Sequence, residues 1–317
     1  MLHLQGINNP RIYLLDASIY VFRAWFASSY SEMESDESVS SAALIYYRHL
    51  KQFFQRQNVK YCVTAFDESL GSGFRHQLCD EYKADRALPD EILNLYLTVC
   101  RELTESLGIQ CLSSNEFEAD DILASLAAAV KTINPSYAIT VLTRDKDLFQ
   151  LLLDEQDEWL DFSKLSDIKS VSREGVYEKM GVKPYQISDF LALRGDKIDG
   201  ITGINGVGDK TAALLMAEFD SLDRLISAVS SGSDVLSSLS FRGKVAIIQR
   251  IGRVEHLLRK NQALTVLVKD IVAVRRQFIS LTDFLIETLN IQDLYDMTSL
   301  AEWVTQMTAN HRSKLAF

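Results

Sequence analysis

In the first half of the chain, stretches with the hydrophobic pattern of β-strands alternate with stretches that have the hydrophobic pattern of helices. Short apolar runs have the length and residue types of buried strands, and the stretches between them carry apolar residues at helical spacing. The strand candidates are residues 11–16, 61–66, 109–112 and 137–143, and the helix candidates are residues 38–57, 90–107 and 119–133. Strands alternating with helices predict an α/β fold with a mostly parallel central sheet covered by helices.

The pattern changes after about residue 172, where short helical stretches joined by Gly-rich turns indicate a small helical domain. We predict an α/β domain over residues 1–180, a helical domain over 181–260 and a C-terminal segment over 261–317 that packs on the core. Within these parts, the Ser-rich residues 227–240 predict a loop or mobile connection, 262–268 a strand or extended segment, and 281–307 one or two further helices.

Carboxylates close the strand candidates. Asp16, Asp67 and Asp145 each end or directly follow one of them, and Asp147 lies just beyond. The carboxyl ends of parallel strands lie along one sheet edge, where open α/β folds bind ligands. Two more acidic groups stand at element boundaries. Glu118, Asp120 and Asp121 open the helix 119–133, and Asp196 and Asp199 precede the glycine-rich turns.

Any one of these nine acids, taken alone, is better explained as a helix cap or a turn residue. Their convergence on one edge favours a different interpretation, because clustered carboxylates repel one another unless cations are present. Oxygen ligands suit Mg²⁺, Mn²⁺ or Ca²⁺ rather than zinc, and a pair of hard cations is a common device for phosphodiester hydrolysis.

The glycine-rich stretch at residues 203–211 contains Gly203, Gly206, Gly208, Lys210 and Thr211. It is not a Walker A motif, because Asp209 separates Gly208 from Lys210. Two short helices joined by this turn would present backbone N–H groups to a phosphate. An ordinary helix–helix turn explains the stretch equally well.

The net charge of −10 counts at first against a nucleic-acid partner, since phosphate affinity comes from Lys and Arg. Setting aside the nine clustered acids leaves 43 − 9 = 34 acids against 33 bases, a net charge of −1. The four cysteines lack metal-site spacing and predict reduced thiols. Without a recognisable secretion signal or membrane-spanning run, we expect a cytoplasmic protein.

Several segments together resemble the 5′-nuclease family, which comprises the 5′–3′ exonuclease domain of bacterial DNA polymerase I, stand-alone exonucleases of the exonuclease IX type, and flap endonucleases. The matching segments are LLDASIYVFRAW, AFDES, FRHQLCDEYKADR, FEADDILASL, LTRDKDLFQLL, DFLALRGDKIDGITGINGVGDKTAA and LSFRGK. The resemblance implies a PIN-like core with a helix-hairpin-helix domain. It also implies two Mg²⁺ ions, replaceable by Mn²⁺, on all nine acids, and K⁺ at the hairpin.

The resemblance assigns further roles by position. It places Lys83 and Arg86 at the base of a short helical arch near residues 70–90, in contact with the scissile phosphate, and it makes Tyr82 a platform for a terminal base. Further basic DNA-binding positions are Arg23, Arg75, Arg242 and Lys244. Arg144 stands where the family commonly has Gly, so either a tight turn is altered or a phosphate contact is gained.

The function implied is a structure-specific 5′–3′ exonuclease or flap endonuclease in DNA replication or repair. Its partner would be DNA with a 5′ flap, a nick or a 5′ end, bound by a monomer that works beside a separate DNA polymerase and away from membranes. The alternatives are a non-catalytic DNA-binding relative and a PIN-type ribonuclease; a P-loop hydrolase ranks last.

Overall fold

A computed structural model describes residues 10–28, 36–69, 71–274 and 297–315. Its centre is a six-stranded sheet in the order β3-β2-β1-β4-β5-β6, in which only β6 is antiparallel. The strands are β1 (Arg11–Asp16), β2 (Cys62–Ala65), β3 (Gln110–Leu112), β4 (Ala138–Leu142), β5 (Glu158–Asp161) and β6 (Lys169–Ser172). The predicted mostly parallel sheet is confirmed. The two strands that the sequence pattern missed, β5 and β6, are four residues long and rich in polar residues.

Helices cover both faces of this sheet. The helices of the first part are α1 (Ala17–Ser28), α2 (Asp36–Gln57), α3 (Phe74–Leu78), α4 (Glu91–Ser106) and α5 (Ala119–Ile133). Successive side chains of β1 point to opposite faces of the sheet, so the strand contributes to two hydrophobic cores. Ile12 and Leu14 pack on the side of α5, whereas Tyr13 and Leu15 pack on the side of α1, α2 and α4.

The second part is helical, as predicted. Its helices are α6 (Arg173–Met180), α7 (Ile187–Arg194), α8 (Asp209–Phe219), α9 (Leu222–Ser231), α10 (Val235–Ser238), α11 (Lys244–Arg253) and α12 (Glu255–Thr265). A small antiparallel hairpin, β7 (Gly195–Asp196) and β8 (Ile201–Thr202), joins α7 to the glycine-rich turn. The hydrophobic core runs without interruption from Ile12 in the sheet to Leu215 in α8.

Two local predictions were wrong. The Ser-rich stretch 227–240 is largely helical, because Leu225 and Ile226 on α9 are buried and hold the helix in place. Residues 262–268 do not form a strand. Helix α12 continues to Thr265, and the backbone becomes extended only after that residue. Of the predicted helices over 281–307, residues 281–296 lie outside the described part, and the remainder belongs to α13 (Met297–Leu315), which packs against α2 and α4.

No helix in the described ranges is long and apolar enough to cross a bilayer.

A fully buried carboxylate, Asp157, ties the loop before β5 to its neighbours. One oxygen accepts hydrogen bonds from Lys131 Nζ at 2.8 Å and the Ile139 N–H at 2.9 Å. The other accepts from the backbone N–H groups of Leu153 at 3.2 Å and Asp154 at 2.9 Å. An amide could not accept all of these bonds, because one of its two ends is itself a donor.

We therefore expect Asp157→Asn to lower the free energy of unfolding by about 3 kcal/mol, as for other broken buried pairs. Asp154 contacts the same Lys131 nitrogen at 2.7 Å but has a half-exposed side chain. Asp154→Asn is thus a matched control, with an expected loss below about 1 kcal/mol. Urea unfolding measures both values, and equal losses would contradict the role of Asp157.

Candidate active site and nucleic-acid interface

The strand topology brings the predicted acids to one sheet edge. Asp16 is the last residue of β1, Asp67 follows β2 and Asp145 follows β4. Because β1 pairs in parallel with both β2 and β4, these three carboxylates emerge at the same edge. Glu118 and Asp120 join them from the start of α5, and all five line one cavity of about 660 Å³.

A second group of acids lies beside the first. Asp147 begins a 3₁₀ turn after β4, and Asp196 and Asp199 belong to the β7–β8 hairpin. Burial, together with the nearby charges of Asp145, Asp196 and Asp199, raises the pKa of Asp147 to about 8. Asp145 thus acts electrostatically on both groups, because it also raises the pKa of Asp16 in the cavity.

The acids divide by whether the chain supplies a counter-charge. Four have a basic side chain within 4.0 Å: Glu118, Asp121, Asp196 and Asp199. The other five, in the part of the chain that the structure describes, have no such ion pair: Asp16, Asp67, Asp120, Asp145 and Asp147.

Several of the unpaired acids hold their protons tightly. Burial, with a smaller contribution from the charges of Asp145 and Asp67, raises the pKa of Asp16 to about 7, against the ordinary 3.8. Burial likewise raises the pKa of Asp67 and Asp120, with help from Glu118 and from Asp145 respectively. Carboxylates in this state gain most from a divalent cation.

The donor set fits hard cations of the Mg²⁺ class, because all of its ligands are oxygens. As they stand, no three Asp, Glu, His or Cys side chains among the described residues are close enough together to enclose a metal ion.

Glu118 is the centre of a buried network of positive and polar groups. It accepts hydrogen bonds from Lys83 Nζ at 2.7 Å, from the Tyr82 hydroxyl at 2.9 Å and from Arg75 at 3.2 Å. Burial alone would raise the pKa of Glu118, but the charges of Lys83 and Arg75 outweigh it and leave the pKa below its ordinary value. Glu118 is therefore ionised and held in one position.

Arg75 is buried among protein partners and is not exposed at the cavity, so its predicted role as a DNA-binding residue has no support in this structure. Its side chain is 3% exposed and pairs through two nitrogens with Asp121, at 2.8 Å for Nη2 to Oδ1. Its remaining donors bind the carbonyl oxygens of Leu264 at 2.8 Å and Val266 at 2.9 Å. Every guanidinium nitrogen of Arg75 is thus engaged inside the protein.

Asp121 shares this internal role. It is fully buried, and besides Arg75 it accepts a hydrogen bond from the Val268 N–H at 2.9 Å. It also completes a capping box with Glu118 at the start of α5. These bonds occupy its oxygens, so the structure places Asp121 as the partner of Arg75 rather than among the cavity acids.

Tyr82 and Lys244 also differ from expectation. Tyr82 is 2% exposed, with its hydroxyl on Glu118, so its ring is not a platform for a base in this conformation. Lys244 directs its ammonium group to the carbonyl oxygens of Ser237 and Leu239, at 2.9 and 2.8 Å, and thereby fixes the loop after α10. Arg242, two residues earlier, is exposed, so its predicted DNA-binding role stays a prediction.

The predicted arch is present in reduced form. Residues 71–90 contain only the five-residue helix α3, followed by turns and an extended stretch. Its base docks on the β7–β8 hairpin, where the Lys83 N–H donates to the Asp199 carbonyl at 3.0 Å. Gly200 makes this approach possible, because a Cβ atom there would lie 2.2 Å from the Glu81 carbonyl oxygen.

Arginines stand around the cavity mouth. Arg86 is half exposed and donates to Asp199 at 2.9 Å. Arg23 on α1 and Arg144, just before Asp145, line the cavity as well. The structure therefore places Lys83, Arg86 and Arg23 where they can meet a ligand at the acids.

The glycine-rich turn has the predicted helix–turn–helix form, with α7 before it and α8 after it. Gly203 has no room for a side chain, since a Cβ would lie 2.1 Å from the Arg194 carbonyl oxygen. Gly206 has a φ of +92°, and Gly208 opens α8 toward empty space. Lys210 is exposed on the first turn of α8 and Thr211 is half-buried there.

Residues that the sequence pattern did not single out support the site. Thr143 donates to Asp16 at 2.8 Å, and Arg194 pairs with Asp196 at 3.3 Å. Residues 264–268, for which only packing was expected, supply the backbone groups that bind Arg75 and Asp121. Thr143 and Arg194 adjoin predicted acids and could have been suspected, whereas backbone partners carry no sequence signal.

Comparison with known proteins places this geometry in context. A family model described as "5'-3' exonuclease, N-terminal resolvase-like domain" matches residues 11–181, and one described as "5'-3' exonuclease, C-terminal SAM fold" matches residues 182–294. DNA polymerase I of Mycobacterium tuberculosis (strain ATCC 25618 / H37Rv) is 34% identical over 264 residues, which are 83% of this chain. The match spans only 28% of the polymerase.

A protein named 5'-3' exonuclease from Bacillus subtilis (strain 168) is 32% identical over 228 residues, covering 71% of this chain and 75% of that protein. Among solved structures, T5 5'-exonuclease with bound zinc has a TM-score of 0.62 at 20% identity, over 94% of this chain and 99% of that one. The catalytic core of Rad2 with DNA substrate has a TM-score of 0.52 at 15% identity, over 96% and 95%. These two likenesses show the shared fold.

We expect a divalent cation to stabilise the protein, and more so at high pH. The pKa of Asp16 is about 7 and that of Asp147 about 8, against 3.8 in the unfolded chain. The native state then binds protons that the unfolded chain has released, so its free energy of unfolding falls as pH rises from about 4 through about 8. A divalent cation at a hundred times its dissociation constant returns about 2.7 kcal/mol.

Thermal melts in MgCl₂ and in EDTA at constant ionic strength measure this effect. The gap between the two midpoints is expected to be several degrees at about pH 8.5 and to shrink toward about pH 5, where protons occupy the acids. Identical midpoints at the higher pH would contradict the clustered-acid site.

The buried Arg75–Asp121 pair makes a separate prediction about stability. Arg75→Gln leaves Asp121 and Glu118 without their buried partner, so we expect a loss of about 3–5 kcal/mol in the free energy of unfolding. Arg86→Gln removes the same charge from a half-exposed side chain beside Asp199 and is expected to cost less than about 1 kcal/mol. Denaturant unfolding compares the two, and a loss no larger for Arg75→Gln would reject its internal role.

Proposed function

The chain belongs to the 5′–3′ exonuclease family, and from that membership we propose that it is a structure-specific, metal-dependent 5′–3′ exonuclease and flap endonuclease acting on DNA. The observation that carries the proposal is the group of four carboxylates without an ion pair in the sheet-edge cavity, Asp16, Asp67, Asp120 and Asp145, next to a second acidic group formed by Asp147 and the β7–β8 hairpin. Proposed substrates are DNA with a 5′ flap, a nick or a 5′ end.

The acids suggest how two Mg²⁺ ions, or Mn²⁺ in their place, would be held. Asp16, Asp67, Glu118, Asp120 and Asp145 would serve the cavity, and Asp147, Asp196 and Asp199 the neighbouring position. When bound, such ions activate a water molecule and neutralise charge on the phosphodiester, leaving a 5′-phosphate and a 3′-hydroxyl. The T5 relative was solved with divalent metal ions bound to it, which supports this proposal.

Lys83 and Arg86 would orient the scissile phosphate. Lys83 is 10% exposed and held on Glu118, with its backbone fixed to the Asp199 carbonyl, so its ammonium reaches the cavity from a rigid base. Arg86 is the more exposed of the two and leaves Asp199 more easily. We propose that Lys83 positions the phosphate and that Arg86 exchanges Asp199 for a phosphate oxygen.

Apolar side chains, which we call the apolar wall, also line this cavity. Ile19 and Phe22 on α1 line it, together with Phe26 and Leu88, which are 64% and 68% exposed. Exposed aromatic and aliphatic side chains beside a phosphate site suit bases that have left the duplex stack. We propose that this wall, rather than Tyr82, receives the unpaired 5′ strand.

The glycine-rich turn would grip the duplex through its backbone. Gly208 exposes the first N–H groups of α8 without a side chain in the way, and Lys210 adds a charge. K⁺ at this turn is also proposed from the family. The Asn205 carbonyl already accepts a hydrogen bond from Arg250 at 2.8 Å, so a K⁺ ion would share the turn with that positive charge.

The biological setting follows from the substrate. We propose a monomer that acts on replication or repair intermediates in the cytoplasm, at the nucleoid of a bacterial-type cell. The chain spans about a quarter of the length of the DNA polymerase I relatives that it matches. We also propose a DNA polymerase as a partner, because replication and repair intermediates are its substrates as well.

A cleavage assay with a 5′-labelled flap, a nicked duplex and a single strand tests the proposal, with and without Mg²⁺. We expect Mg²⁺-dependent cleavage near the flap junction and the nick, and little on the single strand. Asp145→Asn is expected to reduce cleavage more than about a hundredfold, because the site loses several kcal/mol of charge stabilisation.

Glu105→Gln provides the control. It neutralises one half-exposed acid on the last turn of α4, which pairs with Arg101 and does not line the cavity, and should leave the rate unchanged. Mg²⁺-independent cleavage, or full activity of Asp145→Asn, would overturn the assignment. Binding without any cleavage by the unaltered protein would favour a non-catalytic relative.

A further inference from the structure

The cavity has a second cationic side that the proposed mechanism leaves unused. Lys83 and Arg86 approach the acids from the arch and the β7–β8 hairpin. Arg144 lies on the other flank, between the end of β4 and Asp145, and Arg23 reaches the same cavity from α1. A phosphate held at the acids therefore has arginines on two sides.

Arg144 is anchored but only loosely engaged. Its side chain is 53% exposed, and its Nε lies 3.6 Å from Asp161 Oδ2, beyond hydrogen-bonding distance. Asp161 itself is nearly buried at the end of β5 and is fixed by the Ser163 N–H at 2.8 Å. This contact keeps the guanidinium at the cavity wall and leaves its fork of donors available, in contrast to the fully engaged Arg75.

Arg23 lies in the same electrostatic environment as Arg144 and Asp161. Burial lowers the pKa of His49, and Arg23 lowers it further, whereas Asp161 acts on it in the opposite direction. Asp161 and Arg144 also both act on Tyr20, whose ring stacks on Phe162 with centroids 3.9 Å apart. The two arginines thus flank one rigid aromatic stack, to which His49 and Tyr20 belong.

Two arginines that face a cavity, neither of which donates a hydrogen bond to a carboxylate of the described residues, suit an anion with several oxygens. A guanidinium offers paired N–H donors that match a phosphate, and two of them together discriminate against weakly charged ligands. The apolar wall of Phe22 and Phe26 next to Arg23 suits a nucleoside attached to that phosphate.

We propose that Arg144 and Arg23 form a second phosphate-binding subsite, which holds the phosphate adjacent to the cleaved one on the substrate strand. This inference rests on the proposed nuclease function, because it takes the cleaved phosphate to lie at the acids. The ligand is either a phosphodiester within the strand or a terminal 5′-phosphate.

Salt dependence of DNA binding tests the subsite directly. Fluorescence anisotropy with a nicked duplex in EDTA, over about 50 to 200 mM KCl, gives the slope of log affinity against log salt. The magnitude of this slope decreases by about 0.7 to 0.9 for each phosphate that the protein no longer neutralises. We expect Arg144→Gln to show this smaller slope and about tenfold weaker binding at low salt. Arg144→Lys should retain most of the slope.

Arg56→Gln is the matched control. Arg56 is an exposed arginine in the last turn of α2 that does not line the cavity, and it donates to the Leu165 carbonyl at 2.9 Å. Its removal should leave the slope unchanged. An Arg144→Gln slope equal to that of the unaltered protein would overturn the inference.

Cleavage kinetics separate this inference from the proposed function. In Mg²⁺ we expect Arg144→Gln to raise KM several-fold with little change in kcat, on substrates with either a 5′-phosphate or a 5′-hydroxyl. An effect restricted to the 5′-phosphate would identify the terminal phosphate as the ligand. If the unaltered protein cleaves and Arg144→Gln binds and cleaves equally well, the proposed subsite is wrong and the nuclease function stands. If the unaltered protein does not cleave, the nuclease function fails instead.

Discussion

Repulsion between carboxylates is the constraint on which the rest of this structure depends. A parallel sheet brings the ends of β1, β2 and β4 together, and an aspartate ends or follows each of them. Close, partly buried charges of one sign destabilise the native state unless they are protonated or compensated. The chain compensates some of them with its own bases, and the raised pKa values of Asp16, Asp67 and Asp120 show which ones it does not.

The internal compensation also holds the two parts of the molecule together. Arg75 neutralises Asp121 and contributes to Glu118, and the same guanidinium binds carbonyl oxygens at Leu264 and Val266, at the end of the last helix of the helical part. Lys83 neutralises Glu118 while its backbone docks on the β7–β8 hairpin. The same contacts therefore balance the charge at the sheet edge and position the helical part, so a change in Arg75 would disturb both.

Much of the fold could be predicted from the sequence because period-two and helical patterns are local. The predicted strand at 137–143 and helix at 119–133 match β4 and α5, and the acids after the strands reach the predicted edge. The roles of Arg75 and Tyr82 could not be predicted in this way. A basic residue near acids is equally suited to bind a substrate or to neutralise the acids, and burial decides between these roles. The burial of Arg75 depends on Leu264, 189 residues away.

The same division changes the meaning of the net charge. Of the nine acids, four already have a cationic partner within the protein, so the uncompensated charge lies mainly on the five without. Arg75, which is buried between Asp121 and Glu118, is correspondingly unavailable to a ligand. Under the proposed function, phosphate recognition is left to Lys83, to a few arginines at the cavity mouth and to the backbone of the glycine-rich turn. With so few exposed cations at the site, such recognition would depend on the geometry that presents several phosphates at once, and not on general electrostatic attraction.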